Sequence, residues 1–157
     1  MTLRAAEAGD NAFLYRLYCS TRVEEIEAWG LGDAQREMLL NLQFTARERH
    51  FDIAYPGADH KIILCGDRPV GRILVFHSEQ EIRLVDIALL PECRGAGTGA
   101  MLVRALCEEA QAAGKPVTLH VAKSNRAARL YQRLGFRVAG DIGTDYKMEW
   151  RSDGQSY

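Results

Sequence analysis

The densest run of residues able to do chemistry is Leu84 to Leu106, LVDIALLPECRGAGTGAMLVRAL. It opens as an apolar run rich in Val, Ile and Leu, which predicts a buried strand. It then breaks at Pro91, crosses a loop with three glycines and resumes at Ala100 with helical spacing. Such a junction is suited to phosphate. Gly95, Gly97 and Gly99 carry no Cβ, so a ligand can approach the peptide N–H groups. The first N–H groups of a helix lack intrahelical partners and lie at the positive end of its dipole. A pyrophosphate can be held there by main chain, with Arg94 adding a planar cation.

Spacing separates the ligand classes that use such loops. A P-loop ends in Gly-Lys-Ser/Thr, whereas Gly99 is followed by Ala100 and Met101, which argues against it. The dinucleotide fingerprint G-x-G-x-x-A is met by Gly95, Gly97 and Ala100. It also requires the first strand of a parallel unit and an acidic residue near the end of the next strand. The preceding segments read instead as hairpin strands, and Val117 to Val121 ends in Ala122 and Lys123. This reading is the weaker alternative.

The same loop resembles the phosphate loop of the GCN5-related N-acetyltransferase (GNAT) family, Gln/Arg-x-x-Gly-x-Gly/Ala after a buried strand. Arg94, Gly97 and Gly99 stand in its places, with Gly95 a common extra. Asn125 to Phe136, NRAARLYQRLGF, resembles the family's later motif through Asn125, Ala128, Tyr131, Gly135 and Phe136. The motifs stand in the right order, one crossover strand apart, and the likeness in element order runs from about Leu3 to Trp150.

The resemblance implies an acetyl-CoA-dependent N-acetyltransferase of α/β class, with a mixed, mostly antiparallel central sheet and helices on both faces. Main-chain groups of Ala88, Leu89 and Leu90 would pair with the pantetheine arm as an added strand. Arg94, Gly95, Ala96, Gly97, Thr98, Gly99 and Ala100 would hold the pyrophosphate. Asn125 would contact the cofactor, and Tyr131 would sit by the thioester sulfur.

In such a transfer an amine attacks the thioester carbonyl directly, and a main-chain N–H of the central strand can stabilise the charge that develops. A thiolate leaves, for which a phenol of pKa ~10 is a matched donor, so Tyr131 is the expected general acid. An acceptor arriving as an ammonium also needs a base. Glu81 and Asp86 lie on the central strand but differ by an odd number of residues. They therefore face opposite sides unless a bulge intervenes. Glu81, near the strand start, is favoured; Asp86 can instead satisfy a buried neighbour. Water is the third choice. The acceptor is a primary amine of a small molecule or a peptide. Glu24, Glu25 and Trp29 form either a solvated helix end or an acidic, aromatic lip for a cationic substrate. The rival function is a non-catalytic acyl-CoA sensor or regulatory module, which would keep the glycine loop and tolerate loss of Tyr131.

These groups must be carried by a definite order of elements. Leu3 to Ala5 predicts a strand, and Asp10 a cap for a helix reaching about Arg22. A second helix capped by Asp33 should carry Met38, Leu39, Leu42 and Phe44 and fade near His50. His60 to Cys65 and Val70 to His77 predict strands joined by Gly66, Asp67, Arg68 and Pro69. Glu81 to Leu90 is the central strand. Ala100 to Ala113 is a helix with Met101, Leu102, Ala105, Leu106 and Ala110 on one face, stopped by Gly114. After Val117 to Val121, Ser124 or Asn125 caps a short helix with the stripe Ala127, Leu130, Tyr131 and Leu134. Phe136 to Ala139 and Asp145 to Trp150 close as a hairpin.

Composition bounds the rest. The 157 residues, 47% apolar and 26% charged, suit a single domain over residues 1–150 with a polar tail over 151–157. A net charge of -1 gives no electrostatic reason to expect nucleic acid or an anionic membrane as partner. The opening MTLRAAEAGD lacks a signal core, and no run approaches the ~20 apolar residues of a membrane span, so a cytoplasmic location is expected. Cys19, Cys65, Cys93 and Cys107 are scattered without metal-ligand spacing, which predicts reduced thiols, with Cys93 partly exposed, and no metal site. Nothing in the sequence fixes whether the chain forms a homodimer.

Overall fold

The computed structural model describes residues 1–152; the expected polar tail lies, from residue 153 onward, outside the described residues. Seven strands are formed, β1 (Thr2–Ala5), β2 (Asp59–Cys65), β3 (Arg68–His77), β4 (Ile82–Leu89), β5 (Val117–Ala122), β6 (Arg137–Ile142) and β7 (Asp145–Trp150). Five α-helices accompany them, α1 (Asn11–Ser20), α2 (Val23–Trp29), α3 (Asp33–Ala54), α4 (Thr98–Ala113) and α5 (Ala127–Arg133). The strands join in one sheet in the order β1-β2-β3-β4-β5-β7-β6. It is the mixed, mostly antiparallel architecture expected, with β4 and β5 a parallel pair. Two compact units share β3 and β4, one comprising residues 1–74 and 86–94, the other residues 75–85 and 95 onward.

In the first unit β1 runs antiparallel to β2. Phe13, Leu14, Leu17 and Tyr18 of α1 recur at helical spacing and pack with Leu40 and Phe44 of α3 and Ile62 of β2. Asp10 sits at the α1 boundary but makes no side-chain cap bond to that helix. Its carboxylate instead takes both guanidinium nitrogens of Arg4, at 2.7 and 2.8 Å, and accepts from Glu7 N–H at 2.7 Å. The forked pair is the stronger partner.

Asp33 likewise does not cap α3. Gly32 holds the cap position, and Asp33 pairs with Arg36 in the first turn. The expected α3 face is also corrected: Met38 and Leu42 are more than 60% exposed, while Leu40 and Phe44 are buried. Apolar residues at 38, 39, 40, 42 and 44 support more than one stripe, and contact with α1 selects the one containing Leu40 and Phe44. The helix also runs past His50 to Ala54.

The Arg4 hydrogen bond, aided by Glu7 N–H, lowers the Asp10 pKa to about 2. A depressed folded-state value means stability is present above the unfolded pKa of about 3.9 and is lost as pH falls toward 2. Asp10→Asn is therefore expected to lower Tm at pH 6, with the gap to wild type closing toward pH 2. A gap of constant size in thermal melts across that range would contradict the assignment.

In the second unit α4 is the crossover between β4 and β5, whose register sets Ile82 opposite Val117. β7 lies between β5 and β6 and is antiparallel to both. The hairpin expected at the chain end is thus present. α4 starts at Thr98, and its buried residues are Leu102, Val103, Cys107 and Ala110; Met101 and Ala105 are exposed. The buried stripe lies about one position C-terminal to the expected one, because apolar residues fill 101–103 and 105–107 and several stripes fit the helical period. Burial, followed by the Glu108 charge, pushes the Cys107 thiol up to about 12. All four cysteines are free; Cys93 is partly exposed, as expected, but not alone, since Cys19 is partly exposed too and Cys65 is exposed.

Candidate functional site

The loop after β4 is shaped by proline and glycine. Pro91 begins a single 3-10 turn that ends at Cys93, and Gly95 and Gly97 take left-handed φ of +81° and +84°. Gly97 is the N-cap of α4, its carbonyl accepting from Met101 N–H at 3.0 Å. Among the described residues, none of the N–H groups from Gly95 to Ala100 donates to a protein acceptor. A Cβ built at Gly95, Gly97 or Gly99 would meet nothing within 4 Å, so the space over the loop is open. Consecutive unmade donors at the start of a 16-residue helix fit a pyrophosphate. Arg94, which ends the turn, anchors its Nε on the Leu89 carbonyl at 3.0 Å.

The N-cap of α5 is Arg126 and not Ser124 or Asn125, and it makes no side-chain cap bond; Asn125, one residue earlier, accepts from Ala127 N–H on its Oδ1 at 2.9 Å. Tyr131 on α5 is 6% exposed, with its ring tilted against Phe136 at 5.6 Å between centroids. Gly135 enters a left-handed turn after α5, φ +100°, with Trp150 against the site of its missing Cβ.

The two candidate bases have different surroundings. Glu81 immediately precedes β4; its Oε2 accepts from Thr118 Oγ1 at 2.9 Å, and its Oε1 lies 3.5 Å from Arg83 Nε. Asp86 Oδ2 is shared by Arg72 Nε at 2.8 Å and Arg47 at 2.7 Å. Arg72, only 3% exposed, also forks onto Glu48 at 2.5 and 2.9 Å. β4 carries a bulge as well. Ser78 N–H bonds the Glu81 carbonyl and Leu90 N–H bonds the Val70 carbonyl, so β3 advances eight residues while β4 advances nine.

Main-chain geometry at Ala88 and Leu89 depends on one glycine. A Cβ at Gly71 of β3 would strike the Ala88 carbonyl oxygen and lie 2.8 Å from Leu89 Cδ2. Only glycine lets β3 pass β4 so closely there.

A sequence profile of the acetyltransferase (GNAT) family matches residues 12–136. The chain belongs to the GNAT family. Its cosubstrate is acetyl-CoA, and it is an acetyltransferase. The fold is shared with several solved GNAT-type structures. A PaiA N-acetyltransferase from Thermoplasma acidophilum, in complex with coenzyme A, is 16% identical with TM-score 0.70, covering 96% of this chain and 98% of that one. A protein described as histone acetyltransferase HPA2 and related acetyltransferase, from Corynebacterium glutamicum, is 21% identical with TM-score 0.67, covering 99% and 97%. A spermidine N-acetyltransferase mutant from Vibrio cholerae is 20% identical with TM-score 0.63, covering 96% and 95%. No curated protein sequence matches the chain. At these identities the structures establish the fold alone.

In this GNAT chain the acidic stretch is a helix of its own, α2, not the end of α1. Glu24 and Glu25 are exposed on it, Glu25 paired with Arg22 at 3.0 Å. Trp29 is half-buried and packs against the α1–α3 core, so it anchors α2 instead of standing free as an aromatic lip. Among the described residues no helix is long and apolar enough to cross a membrane.

Sequence reasoning missed Arg72, Glu48 and Arg83. The available signal was an arginine inside each of two apolar strand runs, VGRILVF and IRLVDIA. Charged residues at such positions are buried only when paired or serving a ligand.

Proposed function

We propose that this GNAT chain moves an acetyl group from acetyl-CoA to a primary amine by direct attack, without an acyl-enzyme. The observation that carries the reading is the run of unmade N–H donors from Gly95 to Ala100 at the start of α4. With Arg94 it supplies a pyrophosphate cradle, and the end of β4 at Ala88 and Leu89 supplies strand-like partners for the pantetheine amides, Leu90 N–H being already given to the Val70 carbonyl. Asn125, whose Oδ1 accepts from Ala127 N–H, offers its NH2 group to the cofactor. Bound acetyl-CoA supplies the activated acetyl group and a thiolate as leaving group.

The remaining steps belong to side chains of this chain. Tyr131 gives its hydroxyl proton to the departing sulfur as the N–C bond forms and the C–S bond breaks. Glu81, directly or through water, takes a proton from the incoming ammonium. It is preferred to Asp86, whose Oδ2 is held between two guanidiniums. Glu24 and Glu25 on α2 draw cationic amines by their charge. A spermidine N-acetyltransferase among the proteins of similar fold is in keeping with an amine acceptor. The cytosol, where its free thiols stay reduced, is the proposed compartment.

The test is a thiol-release screen of the purified protein with acetyl-CoA against primary amines. Release with one class of amine, together with the N-acetylated product by mass spectrometry, is the expected result. Tight acetyl-CoA binding with no release from small amines, polyamines or peptides would favour the sensor instead.

A further inference from the structure

One face of the C-terminal strands holds charge that the transfer steps above do not use. Arg83 of β4 lies opposite Thr118 of β5, and Thr118 opposite Glu149 of β7; two residues along, His120 lies opposite Lys147. Side chains directly across a pair, and those two apart on a strand, share a face. Arg83, Thr118, His120, Lys147 and Glu149 are therefore on one face, which Asp145, two residues before Lys147, shares at its end. The Arg83 side chain is 10% exposed, yet its nearest acidic neighbour, Glu81 Oε1, is 3.5 Å from Nε. That Nε is buried without a hydrogen-bond partner.

The nearby carboxylates do not answer this need. Glu81 Oε2 is engaged by Thr118 Oγ1, and Glu149 is engaged by Arg151 at 2.7 Å. Lys147 has no ion-pair partner among the described residues. Packing around the ring and the charges of Arg83 and then Lys147 pull the His120 pKa down, against the opposing charges of Asp145 and Glu81. A guanidinium carries five donors in a fork and loses hydration when buried, so one whose Nε has an ion pair at 3.5 Å but no hydrogen bond calls for a further acceptor.

We propose that Arg83, His120 and Lys147 form a subsite for an anionic group, a carboxylate or a phosphate, carried by the acceptor amine. Arg83 offers a two-pronged contact to a pair of oxygens, Lys147 a mobile point charge, and His120 a ring N–H. The proposal rests on the acetyltransferase reading and narrows its acceptor from any primary amine to an amino acid, a peptide or a phosphorylated amine.

Matched acceptor pairs test it: 4-aminobutyrate against butylamine, and O-phosphoethanolamine against ethanolamine. For the wild type, kcat/KM is expected to be at least about tenfold higher for the anionic member of a pair, equivalent to about 1.4 kcal/mol. The preferred pair tells carboxylate from phosphate. Arg83→Gln should erase the ratio through KM, Arg83→Lys should retain part of it, and acetyl-CoA affinity by calorimetry should be kept in both. An equal or reversed ratio in the wild type, or an unchanged ratio in a folded Arg83→Gln protein, overturns the subsite. Absence of acetyl-CoA binding would instead remove the enzyme reading. Phosphate titration followed by NMR of the His120 ring needs no turnover, and decides the case if neither pair is acetylated. A saturable shift lost in Arg83→Gln supports the subsite; no saturable shift overturns it.

Discussion

Tyr131→Phe is expected to lower kcat by about two orders of magnitude, with acetyl-CoA affinity retained. The substitution removes one hydroxyl and leaves a ring that fits the same space beside Phe136. Burial of the side chain on α5 is compatible with a purely structural tyrosine, and the two roles differ in what they predict. A core aromatic loses little on becoming phenylalanine. A proton donor loses the step in which the leaving thiolate is neutralised, so kcat and kcat/KM fall together. Single-turnover thiol release at saturating acceptor measures this directly. Turnover equal to wild type would return Tyr131 to the core and leave the thiolate to be protonated by solvent.

Gly97→Val should act at the other end of the reaction, weakening acetyl-CoA binding by about a hundredfold or more. The φ of +84° at Gly97 is left-handed, where a residue with a Cβ costs roughly 1–2 kcal/mol and a β-branched one is a clear outlier. Among the described residues nothing lies within 4 Å of the added Cβ, so clash with them is not the mechanism. The loop would shift to relieve strain, turning its N–H groups away, and the side chain would fill the open space over the cradle. Gly114→Val is the control. It imposes comparable strain at the far end of α4, φ +68° and also in open space, and should reduce Tm without weakening acetyl-CoA binding. Calorimetry that found Gly97→Val and wild type equal in affinity would refute the loop assignment.

Local signals accounted for the elements that sequence reading located well. β3 and β4 are long apolar runs bounded by turn residues. The glycine loop needs positive φ, which only glycine adopts freely. The α5 stripe of Ala127, Leu130, Tyr131 and Leu134 offers a single helical phase. Where two local solutions are nearly equal, contacts distant in sequence decide between them. The α3 and α4 faces were misphased because apolar residues crowd several stripes. Asp10 was claimed by Arg4 and not by the helix it precedes. α2 buries no residue, so its seven residues left no apolar period strong enough to separate it from α1.

The site divides along the same line. The loop and the Asn125–Phe136 motif are contiguous in sequence and legible there. The Glu48–Arg72–Asp86 contacts join positions up to 24 residues apart; the apolar runs around Arg72 and Asp86 signal that each needs a buried partner, but not that Glu48 is one. The β4 bulge is likewise invisible to alternation, since it appears only when the Ser78–Glu81 and Val70–Leu90 hydrogen bonds are compared.

The most direct test of the account is calorimetric titration of the purified protein with acetyl-CoA, with NAD as the competing dinucleotide. The glycine loop and the family assignment predict saturable binding of acetyl-CoA and none of NAD. Binding of NAD without binding of acetyl-CoA would contradict the central claim.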